Sequence, residues 1–409
     1  MKWWRRHWVG TDSPGMIVLS GVGPGYTGVG HLIAHLLRTK RPGDRIFWHQ
    51  EKSSPPRLLL QRRQFISLTV ECGRRVWSRI RWSANKRRLA SYEGHLVLIH
   101  PQTLGCGFTL DLMKRRTSTD LYVMDNAGFC RSSYNHREGA TCTACLGTDG
   151  APGREKACPV FPERDPAADR LVRELPELSR DGRVRFLVQN LKQAELLRRH
   201  CGSSARIACV GLWADDWDES AGGQDLPSSE VVDVVFHGND VAAKGSRWSI
   251  ELARRMPKRR FFFPFPVPDG ILPPANAIFE PCNWSTGLRA RVHSAAITLV
   301  PSLWSATIEG ALVKSLVQAR GVAVVEQPGS YAQELPPGTC LVLQHDLGAA
   351  AETLEKALAS RWEPDRGFLR EWFDRLKGDR PLIERLRKPI WLDREPITSV
   401  GHTVLGADA

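Results

Sequence analysis

Apolar residues form short continuous runs along the chain, and the most regular example lies in its last third. Ala295–Val300 is an apolar run of strand length, as expected for a parallel strand that is covered on both faces. Pro301 and Ser302 end this run, and Val322–Val325 is a second run of the same kind. The two runs therefore predict two buried strands that neighbour each other in a sheet.

Between these two strands the apolar positions change to a helical period. From Ala306 to Arg320 they recur three and four residues apart, at Ile308, Ala311, Leu312, Leu316 and Ala319. This spacing predicts a helix with one buried face, which Gly321 ends. The N-terminus of such a crossover helix lies at the carboxyl edge of the sheet, where its free N–H groups favour a phosphate. Glu309, one turn into the predicted helix, would lie within reach of whatever carries that phosphate.

Similar runs recur in both halves of the chain and predict an α/β fold with parallel sheets. Before residue 213, strands are predicted at Met16–Leu19, Arg45–His49, Leu96–Ile99, Arg183–Gln189 and Arg206–Val210, and helices at His31–Leu37 and Lys192–His200. The later predicted elements are the strands Val231–Phe236, Phe261–Phe265, Ala277–Glu280 and Cys340–Leu343 and the helical stretch Asp365–Arg387. Because 409 residues are too many for one core, we expect several units. These are a domain at 1–212, a polar linker at 213–230, a second domain at 231–364 and C-terminal helices with a tail at 365–409.

A glycine-rich loop follows the first predicted strand. Its Gly23-x-Gly25-x-x-Gly28 spacing is that of the dinucleotide-binding fingerprint, and Glu51 could supply the acid that the fingerprint requires. The loop would equally let a diphosphate or an acceptor approach the backbone, because glycine has no Cβ. His100 lies at the carboxyl end of a later predicted strand. This position alone favours a histidine that caps the strand end over a functional histidine.

The second half opens with a strand and the segment HGNDVAAKG. Gly238 and Lys244 have the spacing of a Gly-Arg-x-x-x-x-Lys-Gly element, and Pro301-Ser302 precedes the helix that contains Glu309. Together these motifs resemble the donor-site signature of group 1 glycosyltransferases (family 4). That family has the GT-B fold, in which two Rossmann-like domains with parallel sheets face a cleft. The motifs occur in the order that this fold requires, over nearly the whole chain.

The resemblance implies transfer of a sugar from a nucleotide-sugar donor, with retention of configuration and no catalytic metal. It assigns catalytic roles to His100 and Glu309, and it makes the first domain the acceptor domain. The donor-binding residues that it implies are Gly25, Gly28, Gly238, Asn239, Lys244, Ala306 and Thr307. Two positions depart from the family pattern: Asn239 stands where Arg is usual, and Val317 stands where a second Glu contacts the ribose.

Four of the ten cysteines are clustered, as Cys-x11-Cys-x2-Cys-x12-Cys. Two thiolates that are separated by two residues can bind one ion, and two more complete a tetrahedron. The spacing predicts one structural zinc, within a metal segment at about 126–162, on the ligands Cys130, Cys142, Cys145 and Cys158. His136 is an alternative fourth ligand, and an iron–sulfur cluster is the less favoured occupant. Four protein ligands would leave no open coordination position for catalysis.

The formal net charge of +13 is concentrated in the first 120 residues, which carry 21 Lys and Arg against 7 Asp and Glu. This asymmetry indicates an anionic partner, such as a lipid-linked acceptor or a membrane surface contacted peripherally, or else only a solvated basic surface. Nucleic acid is not favoured as a partner. The N-terminus lacks the apolar core of a signal peptide, and no run of eighteen apolar residues occurs, so we expect a cytoplasmic protein.

Two other classes of function stay open at this point. An NAD-dependent oxidoreductase or epimerase would use Gly23, Gly25 and Gly28, but it leaves the second half of the chain without a role. A non-catalytic sugar-nucleotide-binding protein would account for the missing Arg and the missing second Glu. Turnover would distinguish a glycosyltransferase from the non-catalytic binding protein. The preferred nucleotide would distinguish it from the NAD-dependent enzyme.

Overall fold

The computed structural model describes residues 15–48 without 26, 94–161, 165, 167–213, 232–378 and 380–392, together with nine isolated residues between 65 and 92. Within this part of the chain, two parallel six-stranded sheets are present, each flanked by helices. The linker predicted at 213–230 lies outside the described residues apart from Trp213, and so do Glu51 and the end of the tail.

The first sheet is formed by residues before 213, in the order β2-β1-β3-β4-β7-β8. Its strands are β1 (Ile17–Ser20), β2 (Arg45–Trp48), β3 (Leu96–Ile99), β4 (Thr119–Tyr122), β7 (Val184–Val188) and β8 (Ile207–Cys209). The helices of this half are α1 (Gly28–Thr39), α2 (Pro101–Leu104), α3 (Cys106–Arg115), α4 (Ala151–Glu155), α5 (Ala168–Arg180) and α6 (Leu191–Cys201). Between β4 and α5, the short antiparallel strands β5 (His136–Arg137) and β6 (Ala140–Thr141) pair with each other. Every residue of β1 and β3 is buried, as expected for strands covered on both faces.

The second sheet has the order β11-β10-β9-β12-β13-β14. Its strands are β9 (Val234–Phe236), β10 (Phe261–Phe263), β11 (Ala277–Phe279), β12 (Ile297–Val300), β13 (Val322–Val325) and β14 (Leu341–Leu343). Helices α7 (Ser246–Arg255), α8 (Arg289–Ser294), α9 (Gly310–Gln318) and α10 (Leu347–Ser360) accompany it. One-turn 3-10 helices at Ala242–Lys244 and Tyr331–Glu334 follow β9 and β13 along the chain. All neighbouring strands are parallel, so the predicted fold class is confirmed for both halves.

The last two helices pack against different halves. Helix α11 (Arg366–Lys377) contacts α9 of the second half, and α12 (Leu382–Arg387) contacts α1 of the first. The stretch predicted as one helix from Asp365 to Arg387 is therefore two helices. Gly378 and Pro381 lie between them, and proline has no backbone N–H with which to continue a helix. The polypeptide thus returns to the first sheet, where the backbone N–H of Leu392 donates to the carbonyl of Ile207.

Candidate active site

The carboxyl edge of the first sheet holds a small polar cluster. His100 follows β3 directly and has a left-handed backbone (φ 55°), which turns its side chain out of the strand direction. Its Nδ1 lies 2.8 Å from the hydroxyl of Thr103, and its Nε2 lies 3.5 Å from the carboxylate of Asp125. Asp125 also accepts a hydrogen bond of 2.6 Å from the amide of Gln102. The predicted histidine is therefore paired with an acid that sequence analysis did not identify.

Burial biases both members of this pair toward their neutral forms. It lowers the pKa of His100, and the charge of Asp125 opposes the shift. Burial likewise raises the pKa of Asp125, against the opposing charges of His100 and, more weakly, Lys244. The pair therefore offers a proton donor and a proton acceptor, side by side, to a hydroxyl bound at this edge.

The glycine loop lies beside this cluster, but its tight positions differ from the predicted ones. A Cβ on Gly21 would lie 1.8 Å from the Thr103 hydroxyl, and one on Gly30 would lie 2.7 Å from the backbone of Gly25. By contrast, a Cβ on Gly25 or Gly28 would meet nothing within 4 Å. Gly21 and Gly30 are therefore required by packing, whereas Gly25 and Gly28 line open space that a ligand could enter.

The second sheet presents a buried ion pair at its own carboxyl edge. The ammonium of Lys244 contacts the carboxylate of Glu309, whose other oxygen accepts a hydrogen bond from the hydroxyl of Ser302. Glu309 was predicted one turn inside a helix, but the helix begins only at Gly310 and Glu309 is its N-cap residue. The residues directly before it form tertiary hydrogen bonds instead: the Thr307 hydroxyl donates to the carbonyl of Met124, and the Tyr331 N–H donates to the carbonyl of Ala306.

Two aromatic rings enclose the ammonium of Lys244. It lies 5.0 Å from the ring centre of Trp304 and 5.5 Å from that of Tyr134, which comes from the first half. Burial lowers the pKa of Lys244 to about 7, and the charge of Asp125 opposes the shift. The indole Nε1 of Trp304 is buried without a hydrogen-bond partner among the described residues. A ligand oxygen at this point would satisfy that indole and would favour the charged lysine.

The other predicted donor-site residues lie along the same edge. Gly238 follows β9 by two residues, and a Cβ there would lie 2.8 Å from the ring of Phe236. Asn239 is exposed, whereas Ala306 and Thr307 are buried. The hydroxyl of Thr307 donates to the backbone carbonyl of Met124, in the residue next to Asp125. The two carboxyl edges are therefore joined directly at the candidate site.

A second bridge between the halves was missed by sequence analysis. The side-chain oxygen of Asn135 accepts from the Ser305 N–H at 3.0 Å and from the Asn126 amide at 2.7 Å. Its amide nitrogen donates to the Ser305 hydroxyl at 2.9 Å. Farther along, the Thr141 hydroxyl donates to the side chain of Gln327 at 2.5 Å. Residues 126–161, called here the bridging segment, therefore extend from the first sheet onto the second half.

The four clustered cysteines all lie in this bridging segment. None of them forms a disulfide. Burial is the main cause that raises the pKa of Cys130 to about 12, and Cys145, Cys142 and Cys158 contribute in the same direction. Four thiols are a donor set that suits Zn²⁺. Across the described residues, however, no three His, Cys, Asp or Glu side chains are arranged as a metal site. The zinc therefore stays a prediction.

We expect one zinc per chain, bound by the four cysteines, with Cys145→Ser releasing the metal and loosening the bridging segment. Elemental analysis of the purified protein, followed by limited proteolysis of the variant, measures both effects. Cys340→Ser, a half-buried cysteine of the second half, is the matched control and should keep its zinc. A folded protein without zinc, or an iron–sulfur absorption band, would contradict the prediction.

Comparisons with protein-family models and with curated protein sequences gave no match. Solved structures do resemble this fold. An α,α-trehalose-phosphate synthase (UDP-forming) from Burkholderia vietnamiensis aligns over 92% of this chain and 99% of its own, with 13% identity and a TM-score of 0.56. HepE from Anabaena, in complex with UDP, aligns over 91% and 98%, with 8% identity and a TM-score of 0.56. A sucrose-phosphate synthase from Thermosynechococcus elongatus covers 91% and 94%, at 11% identity and a TM-score of 0.52. These similarities establish the GT-B fold.

Proposed function

We propose that this protein is a glycosyltransferase that moves a sugar from a nucleotide-sugar donor to an acceptor. The observation that carries the proposal is the Lys244–Glu309 pair at the carboxyl edge of the second sheet, close to His100 and Asp125 of the first. In an open α/β sheet, ligands bind at the carboxyl ends of the strands. Two such edges that meet provide one site for a donor and an adjacent site for an acceptor.

Each of these residues has a role that its surroundings support. Loss of a nucleoside diphosphate from the anomeric carbon leaves negative charge on the departing phosphate, which Lys244 and the N–H groups at the start of α9 would stabilise. Glu309, once separated from Lys244, would orient the sugar or balance its developing positive charge. His100 and Asp125 would hold acceptor or sugar hydroxyls. We propose retention of configuration, as the resemblance to group 1 glycosyltransferases implies.

A sugar-nucleotide-binding protein without catalysis is the second candidate. Because Asn239 stands where the Gly-Arg-x-x-x-x-Lys-Gly element has Arg, one of the two cations of that element is missing, and Lys244 is already paired with Glu309. Turnover decides between the two candidates: release of UDP from a UDP-sugar supports the enzyme, whereas tight binding without release supports the binding protein. The dinucleotide alternative gains no support, because it leaves the second six-stranded sheet without a role.

We expect uridine diphosphate to raise the melting temperature and NAD to leave it unchanged. UDP is the first nucleotide to test because one of the similar structures is of a UDP-forming enzyme and another is a complex with UDP. Lys244→Ala should weaken UDP binding about tenfold or more, since it removes one charge-assisted contact. Isothermal titration measures the dissociation constants.

Lys258→Ala is the matched control for this measurement. Lys258 also belongs to the second half but is exposed, and its loss should leave the affinity for UDP unchanged. Equal UDP affinities of Lys244→Ala and the unsubstituted protein would show that the diphosphate binds elsewhere. A melting temperature that rises with NAD and not with UDP would favour the oxidoreductase.

The acceptor that we propose is an anionic or lipid-linked molecule. An anionic or lipid-linked acceptor would match the basic first 120 residues, many of which lie outside the described part of the chain. Among the described residues, no helix combines the length and the apolarity needed to cross a bilayer. Sedimentation with vesicles of anionic lipid tests the proposed peripheral contact, and binding that persists in high salt would argue against an electrostatic origin.

A further inference from the structure

A cavity of about 460 Å³ lies at the opposite end of the first sheet from the candidate active site. Its walls include Gly94 and His95, which precede β3, and Thr117 and Ser118, which precede β4. These are the amino ends of parallel strands whose carboxyl ends carry His100 and Asp125. Another wall is formed by Arg387, Lys388, Pro389 and Trp391, where the polypeptide returns from α12 to the first sheet. The cavity is thus separate from the site proposed for the donor.

The floor of this cavity carries a fully buried acid whose charge is already balanced. The carboxylate of Asp120 lies 2.6 Å from Nε2 of His95 and 2.5 Å from Nε of Arg185. Arg185 and Arg206 also lie over the ring of Trp391, at 5.0 and 4.9 Å from its centre. The negative charge of Asp120 is therefore already balanced by His95 and Arg185, and Asp120 does not neutralise any further cation of the cavity.

Three more cations line the cavity, and two of them have no acidic partner within the described part of the chain. Arg387 pairs with Asp44. Arg116 is only 7% exposed and donates to the backbone carbonyls of Tyr92 and Gly94, but its Nε is buried with no acceptor among the described residues. No ion pair joins either Arg116 or Lys388 to a described carboxylate. A nearly buried guanidinium without a counter-ion is costly unless an anion compensates it.

We propose that this cavity binds the phosphate group of a small metabolite, as a site distinct from the catalytic cleft. Arg116 retains a positive charge and one N–H, at Nε, for a further acceptor, and the exposed Lys388 adds a point charge at the rim. The volume lies in the usual range of small-molecule sites, roughly 300 to 1,000 Å³, and exceeds what a bare phosphate needs. The ligand class is therefore a phosphorylated small molecule.

An occupant of this cavity would contact both the first sheet and the returning C-terminal segment. Arg116 belongs to the sheet half, whereas Arg387 and Lys388 arrive from α12, which itself follows the helix packed on the second half. A phosphate bound between these groups would hold the returning segment in place. Binding at this site would therefore stabilise the return of the C-terminal segment onto the first sheet by mass action.

Isothermal titration with inorganic phosphate, at an ionic strength held constant with chloride, tests the proposal. We expect saturable binding of one phosphate per chain, and a loss of affinity of about tenfold or more in Lys388→Glu. Lys388 is exposed and has no acidic partner among the described residues, so its replacement should not impair folding. Lys356→Glu, an exposed lysine of α10 with the same charge change, should bind phosphate like the unsubstituted protein.

Three results would overturn the proposal. The first is the absence of saturable phosphate binding by the unsubstituted protein. The second is an equal change in phosphate affinity in Lys388→Glu and Lys356→Glu, which would indicate only nonspecific electrostatics. The third is loss of phosphate binding in Lys244→Ala, which would place the anion in the cleft; because that variant tests the proposed donor site separately, failure of one proposal is distinguishable from failure of the other.

Discussion

Replacing Glu309 by Gln is expected to reduce release of UDP from a UDP-sugar by about 100-fold or more while the protein stays folded. The side chain is 8% exposed, accepts the Ser302 hydroxyl and contacts the ammonium of Lys244. Glutamine keeps the volume and can still accept from Ser302, but it cannot balance positive charge that develops on the sugar. A 100-fold loss corresponds to about 2.7 kcal/mol of lost transition-state stabilisation.

The matched control is Glu280→Gln in the same half. Glu280 is exposed and lies 3.5 Å from Arg291, so its loss changes the net charge equally but removes only a surface ion pair. Its rate should equal that of the unsubstituted protein. If Glu309→Gln instead keeps the normal rate and only lowers the melting temperature, Glu309 is a structural partner of Lys244, and the assignment of a donor site to this edge fails.

The position of a strand was predicted best where its apolar run is uninterrupted, whereas strands with polar positions, such as the one predicted at Arg183–Gln189, were found with shifted ends. Leu96–Ile99 and Val322–Val325 were predicted to the residue, because strands covered on both faces need no polar positions. Strand β4 was missed because it begins with Thr119 and Asp120. Asp120 is buried only because His95 and Arg185 pair with it, a tertiary arrangement that no local pattern reveals.

Helices were predicted less completely than strands. The helix before Val322 was predicted four residues too early, at Ala306 instead of Gly310. Its apolar periodicity is real, since Ile308, Leu312 and Leu316 are all buried, but Ile308 lies in the irregular stretch before the helix. Burial alone therefore does not distinguish a helical face from a loop that tertiary hydrogen bonds hold against the core.

Site residues near the ends of predicted strands could be identified from the sequence, whereas a site residue in a long loop could not. Lys244 and Glu309 are in contact, although 65 positions separate them in the sequence. Asp125 was not identified because β4 itself was not predicted. Its position was nevertheless visible in the sequence: it directly follows the apolar run LYVM, as His100 directly follows an apolar strand. Asn135 had no such signal: its importance arises from hydrogen bonds to Ser305, which lies in the other half.

The bridging segment gives the cysteine cluster a place in the function proposed here. Tyr134 reaches Lys244, the backbone carbonyl of Gly139 lies 2.7 Å from the ring of His345, and Thr141 binds Gln327. Each of these contacts joins the cysteine-containing stretch to the half proposed to bind the donor. A metal that ordered the segment would therefore also fix how closely the two halves approach at the site.

Replacing Asn135 by Ala is expected to lower the free energy of unfolding by about 3 kcal/mol. The side chain is 1% exposed and makes three hydrogen bonds, two of them to Ser305 across the interface between the halves. Alanine leaves the buried backbone N–H of Ser305 without its acceptor, and that desolvation penalty is the largest part of the cost. Unfolding in urea, followed by tryptophan fluorescence, measures the change. We also expect faster proteolysis within the bridging segment.

Thr141→Ala is the matched control for Asn135→Ala. It shows how much stability is lost when a single hydrogen bond between the two halves is removed. Thr141 lies in the same segment and donates a single hydrogen bond to Gln327, so its replacement should cost about 1 kcal/mol. If Asn135→Ala costs no more than Thr141→Ala, the buried amide does not hold the two halves together. The larger effect at Asn135, together with weaker binding of UDP, would instead mean that the bridging segment sets the geometry of the donor site, because Ser305 directly follows Trp304, whose ring covers Lys244.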